Sequence, residues 1–206
     1  MLQKYFESLQ GQIVIVAIIA GLLLLITILS KKEEKLNIKA LTYSSIAIVL
    51  AYVLNQITII KMPQGGSVTP FSLLFIVLIG YLFGIRQGIL AGIAFGLLDL
   101  MINPYVVHPI QMLLDYPLAF GALGLGAVFR NKNLILVYVA GVAGRFLCHF
   151  ISGVIFFGMY APEGMSGITY SFIYNISFLG VEAVLTCVLL LLPPIKNALL
   201  AVEKNI

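Results

Sequence analysis

Five ionisable side chains interrupt otherwise apolar stretches of this chain: Asp99, Asp115, Arg145, His149 and Glu182. Such groups are expensive in lipid, so each marks a candidate binding or relay position. Within residues 134–160, Arg145, His149, Gly153 and Phe157 recur every four residues and so share one helical face carrying a cation, an imidazole, a gap and a ring. Tyr105, His108, Gln111, Asp115 and Tyr116 cluster at one end of a neighbouring stretch, and Tyr170, Ser171, Tyr174 and Asn175 at the start of the last. Rings supply stacking and cation–π attraction, and Asp115 a charge-assisted hydrogen bond. The set therefore suits a flat, cationic, heteroaromatic ligand and serves an anion poorly. An interfacial aromatic belt accounts for single tyrosines but not for Asp115, His149 and Asn175. Counting along the helices, Glu182 lies roughly 18 Å and Arg145 roughly 22 Å below the outer ends, and the two are expected to pair because an unpaired charge there is costly. Pro117 leaves the carbonyl of Leu113 without its helical partner, a break tolerated only beside protein or a cavity.

Other chemistries lack their residues. No GxxxxGK[ST] phosphate loop, HExxH motif or GxSG elbow occurs. His149 and Ser152 share a helix, but no oxyanion donors accompany them, so an intramembrane enzyme is the least favoured reading. No catalytic residue, metal site or cofactor is expected. Cys148 and Cys187 lie inside apolar runs and form no ligand spacing.

The elements that must hold these residues are membrane helices. Of 206 residues, 61% are hydrophobic and 10% charged, against roughly 25% charged in soluble domains, and the mean hydropathy is +1.10. The runs 12–30, 38–60, 68–85, 88–103, 109–129, 134–160 and 170–194 read as seven helical segments, most near the length needed to cross a bilayer core. The first is read as a retained helix, since no small-residue cleavage site precedes Lys31, Lys32, Glu33, Glu34 and Lys35. With residues 1–11 outside, Lys31, Lys32, Lys35, Lys39, Arg86, Arg130, Lys132, Lys196 and Lys204 fall on the cytoplasmic side and only Lys4 and Lys61 outside. These cations report topology and form no patch for nucleic acid. Ala40, Ser44, Ala47, Ala51 and Asn55 make one small-residue stripe, and Gly88, Gly92 and Gly96 another. Either is an internal packing face or a docking face for another membrane subunit.

The runs KMPQGGSVTPFSLLFIVLIGYLFGIRQGILAG (61–92), YVVHPIQMLLDYPLAFGALGLGAVF (105–129) and CHFISGVIFFGMYAPEGMSGITYSFIYN (148–175) resemble the thiamine-specific S component (ThiT) family of energy-coupling factor transporters. The likeness spans residues 38–195. It implies an all-α six-helix bundle over residues 36–206, with residues 1–35 contributing an additional N-terminal transmembrane helix and its basic loop. It also implies a pocket open to the outside of a prokaryotic cell membrane, formed by Tyr105, Asp115, Tyr116, His149, Gly153, Phe157, Tyr170 and Asn175. In that arrangement His149 and the ring at 157 stack on thiamine, Asp115 meets a charged or amino group, and Asn175 and the tyrosines hydrogen-bond it. Residues 61–68, with Gly65 and Gly66, would form a lid. Ala47 and Ala51 look like the small-residue pair that docks the transmembrane coupling subunit, through which two partner ATPases spend ATP. The chain has Asp115 and Phe157 where the family carries glutamate and tryptophan, and it contains no Trp. The competing reading is a self-sufficient secondary transporter with Asp99, Glu182 and Arg145 as a proton relay.

Overall fold

The structure, a computed structural model, describes residues 8–29, 38–204 and 206. The basic run at 31–35 lies outside the described residues. Among the described residues eight long helical segments follow in order: α1 (Leu9–Leu29), α2 (Ile38–Asn55), α3 (Ser72–Phe83), α4 (Ile85–Ile102), α5 (Pro109–Phe129), α6 (Leu134–Tyr160), α7 (Gly167–Leu191) and α8 (Pro193–Lys204). Six of them are long and apolar enough to cross a membrane, and α3 is a shorter apolar helix. The chain is a multi-pass membrane protein. Lipid is the solvent for its outer faces, which explains why Leu41, Ile46, Val49 and Val53 on α2 are exposed.

The third segment differs from its sequence reading. Residues 67–71 are not helical: Val68 ends a short strand, 69–71 are irregular, and the helix begins only at Ser72. Val68 pairs with Ile60, and Ser67 with Lys61, in a two-stranded antiparallel hairpin of β1 (Ile60–Lys61) and β2 (Ser67–Val68). The start of α3 is capped from another helix. The carboxylate of Glu182 on α7 accepts hydrogen bonds from Thr69 Oγ1 at 3.1 Å, Ser72 Oγ at 3.2 Å and the Leu73 amide at 3.4 Å. A carboxylate there meets an amide that has no partner in its own helix and complements the helix dipole.

This cap corrects the expected Arg145–Glu182 pair. Among the described residues Glu182 makes no ion pair with Arg145, whose Cζ instead lies 3.6 Å from the centroid of the Phe120 ring.

The structure places Ala47 and Ala51, the expected docking pair, at packed positions. Both face inward, 7% and 0% exposed. Ala47 packs with Ile79 of α3 and Ala91 of α4, and Ala51 belongs to the main core with Val68 and Leu73. Through this stripe α2 closes on its own bundle. The glycine stripe packs internally as well: a Cβ on Gly92 would stand 2.2 Å from the carbonyl oxygen of Phe120, and one on Gly96 2.6 Å from that of Tyr116. These contacts draw α4 and α5 to backbone distance.

The N-terminal helix α1 packs against the α4–α5 side through Leu23, which clusters with Ile89, Ile110, Leu114 and Leu118. Beyond the seventh segment the chain turns at Leu192 and Pro193 into α8, a helix absent from the sequence reading, whose Ile195 and Leu199 pack against the core.

Candidate functional site

Helices α5, α6 and α7 each contain one π-helical turn, at Leu114–Leu118, Gly153–Phe157 and Ile176–Gly180. Such a turn interrupts the regular hydrogen-bond ladder and re-aims the side chains on it. In α5 the cause is local, because Pro117 lies inside the turn and has no amide to donate. In α6 the turn opens at Gly153, whose missing side chain lets α7 approach: a Cβ there would stand 2.2 Å from Ser171 Oγ.

These turns surround a cavity of about 370 Å³. Tyr105, Asp115, Tyr116, His149, Gly153, Phe157, Tyr170 and Asn175 all line it. The structure thus brings together the eight residues that the resemblance placed in a pocket, along with Gln111, Arg145, Ser171 and Tyr174 of the wider polar cluster, whereas His108 is not on the wall and caps the start of α5. It adds Asn55, Asp99, Phe120 and Phe178 to the wall.

Asp115 is the hub. One carboxylate oxygen lies 3.0 Å from His149 Nδ1, and the other accepts from Gln111 Nε2 at 2.7 Å and from Ser152 Oγ at 3.0 Å. Tyr116 is equally committed. Its hydroxyl accepts from the Tyr105 amide at 2.6 Å and donates to the Asn103 carbonyl at 3.1 Å, tying down the α4–α5 connection. Asn175 donates through Nδ2 to the carbonyls of Ser171 at 2.8 Å and His149 at 3.3 Å. Tyr116 therefore offers the cavity mainly its ring, and Asn175 mainly its carbonyl oxygen.

The aromatic wall has two parts. Tyr105 and Phe157 stand 6.2 Å apart at 32°, while His149 meets Phe178 edge-on at 6.0 Å. Deeper in, Asp99 accepts from Asn55 Nδ2 at 2.8 Å. Arg145 keeps Nε and Nη1 buried without a hydrogen-bond partner, as does His149 at Nε2. Buried polar atoms are usually satisfied, so unfilled ones on one wall leave hydrogen-bonding capacity for an occupant.

The hairpin tip covers one end of the cavity. Tyr174 Oη accepts from the Gly66 amide at 3.0 Å and donates to the Pro63 carbonyl, and Tyr170 Oη donates to Gln64 Oε1 at 3.2 Å. Gly65 adopts φ +86, a conformation that favours glycine, directly against Tyr105. Gly66 is needed for space, because a Cβ would stand 2.5 Å from the Tyr174 hydroxyl. Tyr174 was visible in the sequence only as one of the polar group opening the last segment; its part in holding the hairpin depends on a contact 108 residues away along the chain.

A family model described as thiamine transporter protein (Thia_YuaJ) matches residues 41–202. The thiamine transporter ThiT of Bacillus subtilis (strain 168) is 34% identical over 155 residues, covering 66% of this chain and 80% of that protein. The thiamine transporter ThiT of Lacticaseibacillus paracasei is 34% identical over 104 residues, covering 41% of this chain and 52% of that protein. Among solved structures, ThiT from Listeria monocytogenes superposes with a TM-score of 0.63 at 23% identity, over 75% of this chain and 94% of that one, a likeness of fold. The family match begins at residue 41, after α1.

Proposed function

From the premise that this chain belongs to the thiamine transporter protein family, we propose that it is the substrate-binding S component of an energy-coupling factor transporter, capturing thiamine from outside the cell. The cavity between α5, α6 and α7 carries this reading. It joins aromatic walls to a single hydrogen-bonded carboxylate hub and lies beneath a hairpin held by two tyrosines. Rings attract a heteroaromatic cation, and a cavity of about 370 Å³ has room for a vitamin-sized ligand.

In this reading Tyr105, Phe157 and Tyr170 supply the apolar walls, and His149, Asn175 and Arg145 the hydrogen-bonding edge. Asp115 and Tyr116 hold that edge in place, Gly153 makes room for it, and residues 61–68 act as the lid. Residues 36–206 form the binding unit, with α1 as an addition to it. The chain performs no chemistry. Transport requires a membrane coupling subunit and two ATPases, with the α2 stripe at Ala47 and Ala51 as the expected place of docking.

The competing proton-relay transporter draws less support. Glu182 serves as a helix cap, and Asp99 is held by Asn55. Uptake into proteoliposomes separates the two. The chain alone is expected to accumulate no thiamine under an imposed proton gradient, and to do so with ATP once the coupling subunit and ATPases are co-reconstituted. Gradient-driven accumulation by the chain alone would overturn the S-component assignment.

A further inference from the structure

The structure describes two histidines, the full complement of the chain, and their surroundings impose opposite tautomers. His108 caps the start of α5: its Nδ1 accepts from the Ile110 amide at 3.2 Å, so that nitrogen carries no proton and Nε2 does. His149 is the reverse. Its Nδ1 lies 3.0 Å from an oxygen of Asp115, and an ionised carboxylate only accepts, so Nδ1 must carry the proton. In the neutral ring Nε2 then holds a lone pair. That atom is buried and has no partner among the described residues. A second proton would add a cation one helical turn from the Arg145 guanidinium, with a buried N–H and nothing to accept it, which costs more than an unfilled lone pair.

The carboxylate that sets this tautomer is itself largely consumed. Gln111 and Ser152 occupy its second oxygen and His149 its first, out of about four lone-pair sites on a carboxylate. Gln111 cannot turn over, because its Oε1 accepts from the Val107 amide and its Nε2 also donates to the Tyr105 carbonyl.

We propose that Asp115 is a positioning residue that locks His149 as the Nδ1–H tautomer, so that His149 Nε2 selects a ligand bearing a hydrogen-bond donor, such as the exocyclic amino group of an aminopyrimidine. This rests on the thiamine-binding reading above and assigns to Nε2 a contact that the resemblance gives to Asp115. Two consequences separate the roles. Oxythiamine, which carries an oxo group in place of that amino group, presents a lone pair to a lone pair and binds the wild-type chain roughly 100-fold more weakly than thiamine. In Asp115→Asn the fixed Gln111 donor claims the amide oxygen, and the NH₂ turns to His149 Nδ1. The ring then flips to Nε2–H, as a buried aspartate-to-asparagine swap does in a catalytic triad. Thiamine binding falls and the preference over oxythiamine collapses at least about tenfold.

The test is nitrogen NMR of full-length protein labelled with ¹⁵N-histidine, with His108→Gln used for assignment, alongside calorimetry with thiamine and oxythiamine. Expected is an unprotonated Nε2 on His149 in the ligand-free chain, a shift of that signal with thiamine, and a protonated Nε2 in Asp115→Asn. A protonated Nε2 in the ligand-free wild type overturns the proposal. So does a His149 signal unmoved by thiamine that calorimetry shows to be bound, or an unchanged thiamine-to-oxythiamine ratio in folded Asp115→Asn. Absence of thiamine binding to the wild type overturns instead the functional reading on which this rests, and the ligand-free spectrum still decides the tautomer.

Discussion

Asp115→Ala is expected to weaken thiamine binding roughly 100-fold while leaving the bundle assembled. Alanine removes the acceptor of three donors together: His149 Nδ1, Gln111 Nε2 and Ser152 Oγ. Gln111 retains its bond to the Tyr105 carbonyl, but His149 and Ser152 lose their side-chain acceptor at 115. The ring of His149 is then free to take either tautomer. Hydrogen bonds to a charged group contribute about 1.5–3 kcal/mol each, and the loss is concentrated on the wall of the cavity, so it registers in affinity. The helices themselves are held elsewhere, by a core that includes Phe95, Phe120, Leu123 and Tyr138. Calorimetry of the purified variant, with its melting temperature measured in parallel, checks both halves. Wild-type affinity would remove Asp115 from the site, and loss of the folded chain would make it a structural residue.

The second large effect is on assembly. Gly126→Val is expected to destabilise the bundle by at least about 3 kcal/mol. A Cβ on Gly126 would stand 2.0 Å from the Val137 carbonyl oxygen and 2.9 Å from the Gly141 amide, so the obstruction is backbone of the facing helix and no rotamer relieves it. Separating α5 from α6 would also pull apart the two helices that carry Asp115 and His149. In a Cys187→Ser background, which removes the half-buried second thiol, the buried Cys148 provides the reporter, since a thiol-reactive dye labels it only as the bundle opens. Heating in the presence of the dye should give a midpoint well below wild type for Gly126→Val. Gly21→Ala serves as the control, because nothing lies within 4 Å of its Cβ position. Equal midpoints for Gly126→Val and wild type would contradict the packing described.

Much of this architecture was legible in the residue pattern because lipid imposes a simple rule: long apolar runs become helices, and ionisable groups within them turn inward. The four-residue spacing of Arg145, His149, Gly153 and Phe157 identified a single wall, and all four line the cavity. The departures have physical reasons. Helix α3 begins at Ser72 because Glu182, distant in sequence, caps it there, and hydropathy cannot register a partner 110 residues away. The same cap explains why Arg145 stands over Phe120 and makes no pair with Glu182. Small-residue spacing at Ala47 and Ala51 correctly signalled close approach, but spacing does not say whether the neighbour is another subunit or the same chain. Of the three π turns only that at Pro117 left a trace in the sequence; those at Gly153–Phe157 and Ile176–Gly180 depend on how α6 and α7 meet.

The chain has no tryptophan whose fluorescence could report an occupied pocket, so heat is the direct readout of the central claim. Titration of thiamine into the purified full-length chain, at two temperatures, is the decisive measurement, because burial of apolar surface changes the heat capacity and keeps the signal from vanishing at both. The account predicts a saturable isotherm at equimolar stoichiometry without any partner subunit. A flat titration at both temperatures, with folded protein, would contradict it.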